Sequence, residues 1–170
     1  MIASVADFAR YFEGVRRRTW AAVDRITPAL AGWAPRPGEF TCAAIVRHLA
    51  GAERFFVTRV VDDRWTDDLD VAADTADLDG ARAALRDLHA EAMGRLAALP
   101  DARLAQTIVD LEGRRVRVWR FLMAMVEHEI HHRSQLDAWL ALAGVEPPQV
   151  FGYRMEDVVA RARGAPERRP

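Results

Sequence analysis

The chain contains no lysine: all 24 of its basic side chains are arginine. Schiff-base chemistry through a lysine side chain is therefore excluded. Cysteine is nearly absent as well. Cys42 stands alone, so neither an intramolecular disulfide nor a cysteine-rich zinc cluster is available, and a reducing cytoplasm is the expected setting. Net charge is almost nil, with 24 basic and 25 acidic residues giving a formal charge of -1. That removes the global positive field on which non-specific nucleic-acid binding depends, and no nucleic-acid partner is expected. Long apolar runs are missing too. No stretch of about 18 uncharged apolar residues occurs, and Met1 to Asp7 lacks a basic region followed by an apolar block, so neither a membrane span nor an export signal is expected.

What is present is a chain of 170 residues, 51% hydrophobic and 29% charged, long enough to bury roughly 70% of its unfolded surface in one core. No internal repeat divides it. A single domain over residues 1–163 with a frayed tail at 164–170 is expected. Ser4 followed by Asp7 resembles a helix start, and Val5, Phe8, Phe12, Val15, Thr19, Ala22, Val23 and Ile26 continue a helical stripe. Thr27-Pro28 ends it, and Pro35 to Gly38 is loop. Thr41 caps a second helix reaching about Asp63. Leu78, Ala81, Leu85, Leu88, Ala92, Leu96 and Leu99 mark a third, stopped by Pro100. Between Gln106 and Val118 the pattern turns extended, with Glu112-Gly113 as its turn; helical spacing then resumes from Val118 to Ala143. A short fifth helix near Met155 to Arg163 is expected to pack on the outside. Four long amphipathic helices of similar length predict an all-α fold, an antiparallel four-helix bundle.

Histidine placement is the informative feature. At about 100° per residue, His128 and His132 share an arc of about 80° with Phe121, Met125, Leu136, Trp139 and Ala143, so both point into the core. Two imidazoles one turn apart can reach a single divalent ion. His48 lies among Ile45, Leu49, Ala52, Phe55 and Phe56 on the second helix, a third imidazole on a buried face. A lone core histidine is ordinarily a hydrogen-bonded packing residue. Three converging ones leave several ring nitrogens without partners in a leucine-rich interior, whereas a metal satisfies one from each. His131 falls about a right angle from the centre of that arc and is expected at the rim of the site or in solvent. Glu127, Gln135 and His131 border the site as candidates for hydrogen bonds to ligand imidazoles. His89 reads as a core histidine, and Cys42 as an inert packed thiol. Most carboxylates and arginines fall off the apolar arcs and read as solvated. Trp119, Val126 and Ile130 form a second apolar strip on the back of the fourth helix, suited to the fifth helix or a partner subunit.

His128-Glu129-Ile130-His131-His132 also fits H-E-x-x-H, in which a glutamate activates water in metalloproteases. Glu129 is thus a candidate catalytic residue. No further histidine follows His132 to complete such a site downstream. The upstream segment Phe40 to Glu53, with His48-Leu49 and then Glu53, the later His128-x3-His132 followed by Gln135-Leu136, and the exit Gly144-Val145-Glu146-Pro147-Pro148 together resemble the DinB-like superfamily over nearly the whole chain. The resemblance implies a four-helix bundle holding a divalent metal, zinc or nickel, through one histidine on the second helix and two on the fourth. By motif these are His48, His128 and His132, the three that helical geometry selects.

The resemblance further implies homodimers, and a family that includes transferases using low-molecular-weight thiols such as bacillithiol or mycothiol, and a thiol-dependent maleylpyruvate isomerase. Three neutral imidazoles leave a divalent ion at +2 with an open position, the pattern of catalytic rather than structural zinc. The expected function is a metal-dependent thiol S-transferase acting on a small-molecule substrate. A metal-dependent hydrolase and a non-catalytic, metal-stabilised stress or binding protein are the alternatives.

Overall fold

In the computed structural model, which describes residues 2–66 and 77–164, the chain is a four-helix bundle. Helix α1 spans Val5–Val23, α2 Cys42–Asp62, α3 Leu78–Ala97 and α4 Val118–Leu142. Each of the first three starts where a side chain satisfies the free backbone amides of the first turn. Ser4 Oγ accepts from Asp7 N at 3.0 Å, Thr41 Oγ1 from Ala44 N at 3.1 Å, and Asp77 Oδ1 from Gly80 N at 2.8 Å. A Cβ at Gly80 would meet the capping carboxylate of Asp77, which would have to shift to admit it. The extended stretch before α4 is a hairpin of β1 (Thr107–Val109) and β2 (Arg115–Arg117), antiparallel with Ile108 opposite Val116. Its turn uses Gly113 at φ +80°, a conformation that favours glycine. Arg59 of α2 fixes the hairpin by donating to Val109 O at 3.2 and 3.1 Å.

Neighbouring helices divide into antiparallel and parallel pairs. The start of α1 meets the turn after α3 (Val5 N to Asp101 Oδ1, 2.8 Å), while Arg82 near the start of α3 donates to Val23 O and Ile26 O at the end of α1. Those two helices are antiparallel. Arg47 to Asp77 at one end and Arg95 to Asp62 at the other make α2 and α3 parallel. Phe56 against Phe121, with His48 against His132, makes α2 and α4 antiparallel. Ile2 and Tyr11 line a groove with Trp119 and Met123, and Arg16 reaches Glu129, so α1 and α4 run together. Parallel neighbours need a long crossover, and the chain between Asp62 and Leu78 is long enough to provide one.

Burial follows the sequence stripes closely. Phe8, Phe12, Val57, Val60, Leu96, Leu122 and Met125 form one apolar cluster, and Val23, Ile45, Leu49, Leu85, Leu136 and Leu140 form another. On every helix the two sets are separated by a polar position: Arg16 on α1, Glu53 on α2, His89 on α3 and Glu129 on α4. The bundle is therefore two apolar halves with a charged layer between them.

Two expectations about its periphery change. Val126 is buried in the first cluster, leaving Trp119 and Ile130 as the exposed part of the α4 strip. Helix α5 (Met155–Ala162) lies outside the bundle as expected, but none of its residues is buried. Its amphipathic pattern announces a face suited to burial and cannot say what covers it. Gly164 is exposed, and the rest of the expected tail lies outside the described residues. No helix among the described residues is long and apolar enough to cross a membrane.

Candidate metal centre

Thr41 starts α2 so that His48, nearly two turns on, faces α4. His128 and His132, one turn apart, meet it there. His48 Nε2 is 3.1 Å from His128 Nε2 and 3.1 Å from His132 Nε2, and one ligand nitrogen from each ring lies within 4.8 Å of the others. His48 and His128 are half-buried, and His132 is 8% exposed.

The chemistry of these nitrogens fits a metal. A ring nitrogen offers either one hydrogen or one lone pair, so His48 Nε2 is not a good hydrogen-bond partner for two nitrogens at once. Gln135 Oε1 sits 2.8 Å from His132 Nδ1, an acceptor that places the ring proton on Nδ1 and leaves the Nε2 lone pair facing the other imidazoles. Tetrahedral bonding at about 2.0–2.1 Å separates ligand nitrogens by about 3.3 Å, close to the spacing seen. The three histidines are positioned to bind a divalent ion.

Electrostatics point the same way. Burial lowers the pKa of all three rings, and the neighbouring histidines lower it further. For His128 the value falls to about 4. For His132 the bond to Gln135 opposes the fall without cancelling it. All three are neutral near pH 7, the form that coordinates. Phe40, in the loop before α2, stacks on His48 with ring centres 5.1 Å apart, and Trp139 Nε1 donates to Phe40 O at 3.2 Å to hold that loop. Phe56 packs 6.1 Å from His128.

The other candidates separate. Gln135 bonds His132, as its position implied. Glu127 is on the surface with its carboxylate 3.2 Å from Arg120, turned to a different partner from the ligand imidazoles. His131 is exposed, its ring 4.8 Å from that of His132. Cys42 is fully buried and burial pushes its thiol up to about 11, an unreactive state. His89 Nδ1 is hydrogen-bonded to Glu53 at 2.8 Å and its Nε2 lies 3.2 Å from Glu13, which makes it a core histidine with carboxylate neighbours.

Glu129 is 2% exposed and accepts from Arg16 Nη2 at 3.0 Å. The same Nη2 donates to Glu53 at 2.8 Å, and Arg16 is itself 1% exposed. Glu13–His89–Glu53–Arg16–Glu129 is thus a chain of charges drawing on all four helices. Sequence alone does not single out Arg16 and Glu53, because a charged side chain ordinarily faces solvent. Their signal was available: Arg16 stands one turn after Phe12, and Glu53 stands one turn from both Leu49 and Val57, each inside an apolar stripe.

A four-helix bundle with a three-histidine cluster between its second and fourth helices defines the class of protein. The model of the DinB superfamily matches residues 11–136, and the chain belongs to that superfamily. The fold is similar to that of a DinB-like protein from Bacillus cereus ATCC 10987, with a TM-score of 0.74 at 19% identity, covering 87% of this chain and 98% of that one. A DinB-like protein from Bacillus subtilis gives 0.65 at 20% identity, covering 84% and 96%. A DinB family member from Shewanella denitrificans gives 0.53 at 15% identity, covering 90% and 92%. No curated protein sequence matches the chain.

Proposed function

We propose that this protein is a metal-dependent S-transferase in which a small cytosolic thiol attacks an electrophilic small molecule. The observation that carries the reading is the convergence of His48, His128 and His132 as neutral donors with no carboxylate among them. These three residues would hold the ion, zinc or nickel. When bound, it would supply Lewis acidity at an open position and favour the thiolate form of an incoming thiol at neutral pH. Gln135 fixes the His132 tautomer, and Phe40 and Phe56 flank the rings with apolar surface that limits water. In the transfer the thiol sulfur forms a bond to carbon, the leaving group departs with its electron pair, and the thiol proton passes to solvent.

The hydrolase reading draws less support, because the carboxylate it would use is bound to Arg16 and withdrawn from solvent. A homodimer in the cytoplasm belongs to the same proposal, with Trp119 and Ile130 as exposed apolar contacts; sedimentation of the full chain tests the dimer. For the chemistry, elemental analysis of the purified protein comes first, then titration of a low-molecular-weight thiol into the cobalt-loaded form. A perturbed cobalt spectrum and consumption of thiol with a model electrophile are expected. Metal uptake with neither response refutes the transferase and leaves a metal-stabilised binding protein.

A further inference from the structure

Beside the histidines, a groove of about 470 Å³ runs between α2, α4 and the hairpin, a volume suited to a small ligand. Its interior is aromatic. Phe55 and Phe56 come from α2 and Phe121 from α4, with Ala124 also among the lining residues. Phe56 joins the groove to the candidate metal centre, its ring centre 5.0 Å from that of Phe121 and 6.1 Å from that of His128. The backbone gives the scale. Arg120, Ala124 and His128 follow one another at one-turn intervals on α4, so the groove's arginine and the metal-facing histidine are about 12 Å apart along the helix. Ala124, the smallest side chain in that row, lines the groove on the side nearer His128.

Three arginines and three carboxylates, Glu127 included, balance around the groove but are unevenly paired. Arg114, Arg115 and Arg120 line it together with Asp110 and Glu112. Both carboxylates are taken by Arg114, at 2.8 Å each. Arg115 donates to a neutral acceptor, the Thr107 hydroxyl, at 2.8 Å. Arg120 meets Glu127 at 3.2 Å in a pair whose side chains are 46% and 60% exposed, an arrangement that water screens and that an incoming anion can displace. Arg115 without a carboxylate partner and Arg120 in a displaceable pair, both beside aromatic walls, fit a ligand with an apolar, flat body and an anionic group.

We propose that this groove binds small aromatic carboxylates, with the carboxylate at Arg120 and Arg115 and the ring laid against the wall that Phe55, Phe56 and Phe121 form on the side of the candidate metal centre. This rests on the S-transferase reading in one respect: the electrophile presented to the thiol would be an aromatic carboxylate that also carries an electrophilic carbon and its leaving group. Binding itself does not depend on that reading.

The test is calorimetric titration of 2-naphthoate, and of its neutral methyl ester, into the full chain with and without zinc. Naphthoate is expected to bind more tightly than the ester. R115Q/R120Q is expected to weaken naphthoate by at least about tenfold, the scale of one charge-assisted hydrogen bond, and to leave the ester unchanged. A124F, which fills the groove, is expected to weaken both ligands. The cobalt spectrum of each variant reports whether the histidines are still assembled. Equal binding of acid and ester, no binding of either, or A124F without effect overturns the proposal. Naphthoate binding by a protein that takes up no metal sinks the metal centre and keeps the groove; metal uptake with no naphthoate binding does the reverse.

Discussion

Replacing Arg16 with methionine tests the charged layer that divides the core. The guanidinium is 1% exposed, and its Nη2 is the hydrogen-bond donor to both Glu53 and Glu129, at 2.8 and 3.0 Å. Methionine keeps much of the volume and removes the charge. His89 still faces Glu53, but Glu129 is left 2% exposed with its ionic partner gone. Breaking a buried pair from one side costs about 3–5 kcal/mol, because the remaining charge keeps its desolvation penalty. Burial already raises the Glu129 pKa despite the opposing charge of Arg16. The variant relieves the charge by taking up a proton there, which keeps the loss at the lower end of that range near neutral pH. Against a total stability of about 5–15 kcal/mol this is a large fraction. At about 2–4 °C per kcal/mol for a domain this size, a loss of about 3 kcal/mol lowers the melting temperature by roughly 6–12 °C. The assay is urea and thermal unfolding of the wild type, R16M, E129Q and R16M/E129Q. Removing the second charge in the R16M background is expected to restore part of the loss, a non-additivity that only contacting residues show. R16M within about 1 kcal/mol of wild type, a value typical of exposed pairs, or strict additivity in the cycle, would refute the buried layer.

Three further outcomes follow from the same geometry. Gln135→Leu removes the acceptor from His132 Nδ1 and is expected to weaken metal binding about 10–100-fold without unfolding the protein; competition between cobalt and a chelator measures it. Burial pulls His89 down, but its hydrogen bond to Glu53 and that carboxylate's charge override this and leave its pKa raised above 6.5. A raised folded value means that its contribution to stability is complete below the unfolded pKa and lost as pH rises through the folded one, so the gap between wild type and H89Q in urea melts narrows with increasing pH; a gap that widens contradicts the ion pair. Cys42, held near 11 inside the core, is expected to resist iodoacetamide in the native state and to react in urea, and C42A to leave thiol transfer unchanged, as quantified by mass spectrometry and turnover.

The four helices were readable because amphipathic periodicity, caps and breakers are local: Ser4, Thr41 and Pro100 act within a turn or two of their own position, and the hairpin at Gly113 needs only a glycine and alternating residues. The ligand histidines were readable for the same reason, since His128 and His132 share a helix face by arithmetic and His48 occupies an apolar stripe. What the periodicity leaves open is which helix runs beside which, and in what direction. The parallel pairing of α2 with α3 depends on a crossover whose path no local rule fixes. The buried layer escaped detection because a charge is stable in a core only when an opposite charge from another helix meets it, and Arg16, Glu53 and Glu129 lie 37 and 76 residues apart. Glu129 shows the difference most sharply. Its motif suggests water activation beside a metal, while packing turns its carboxylate to Arg16, because a helix face is set by sequence but the partner across from it is set only by assembly.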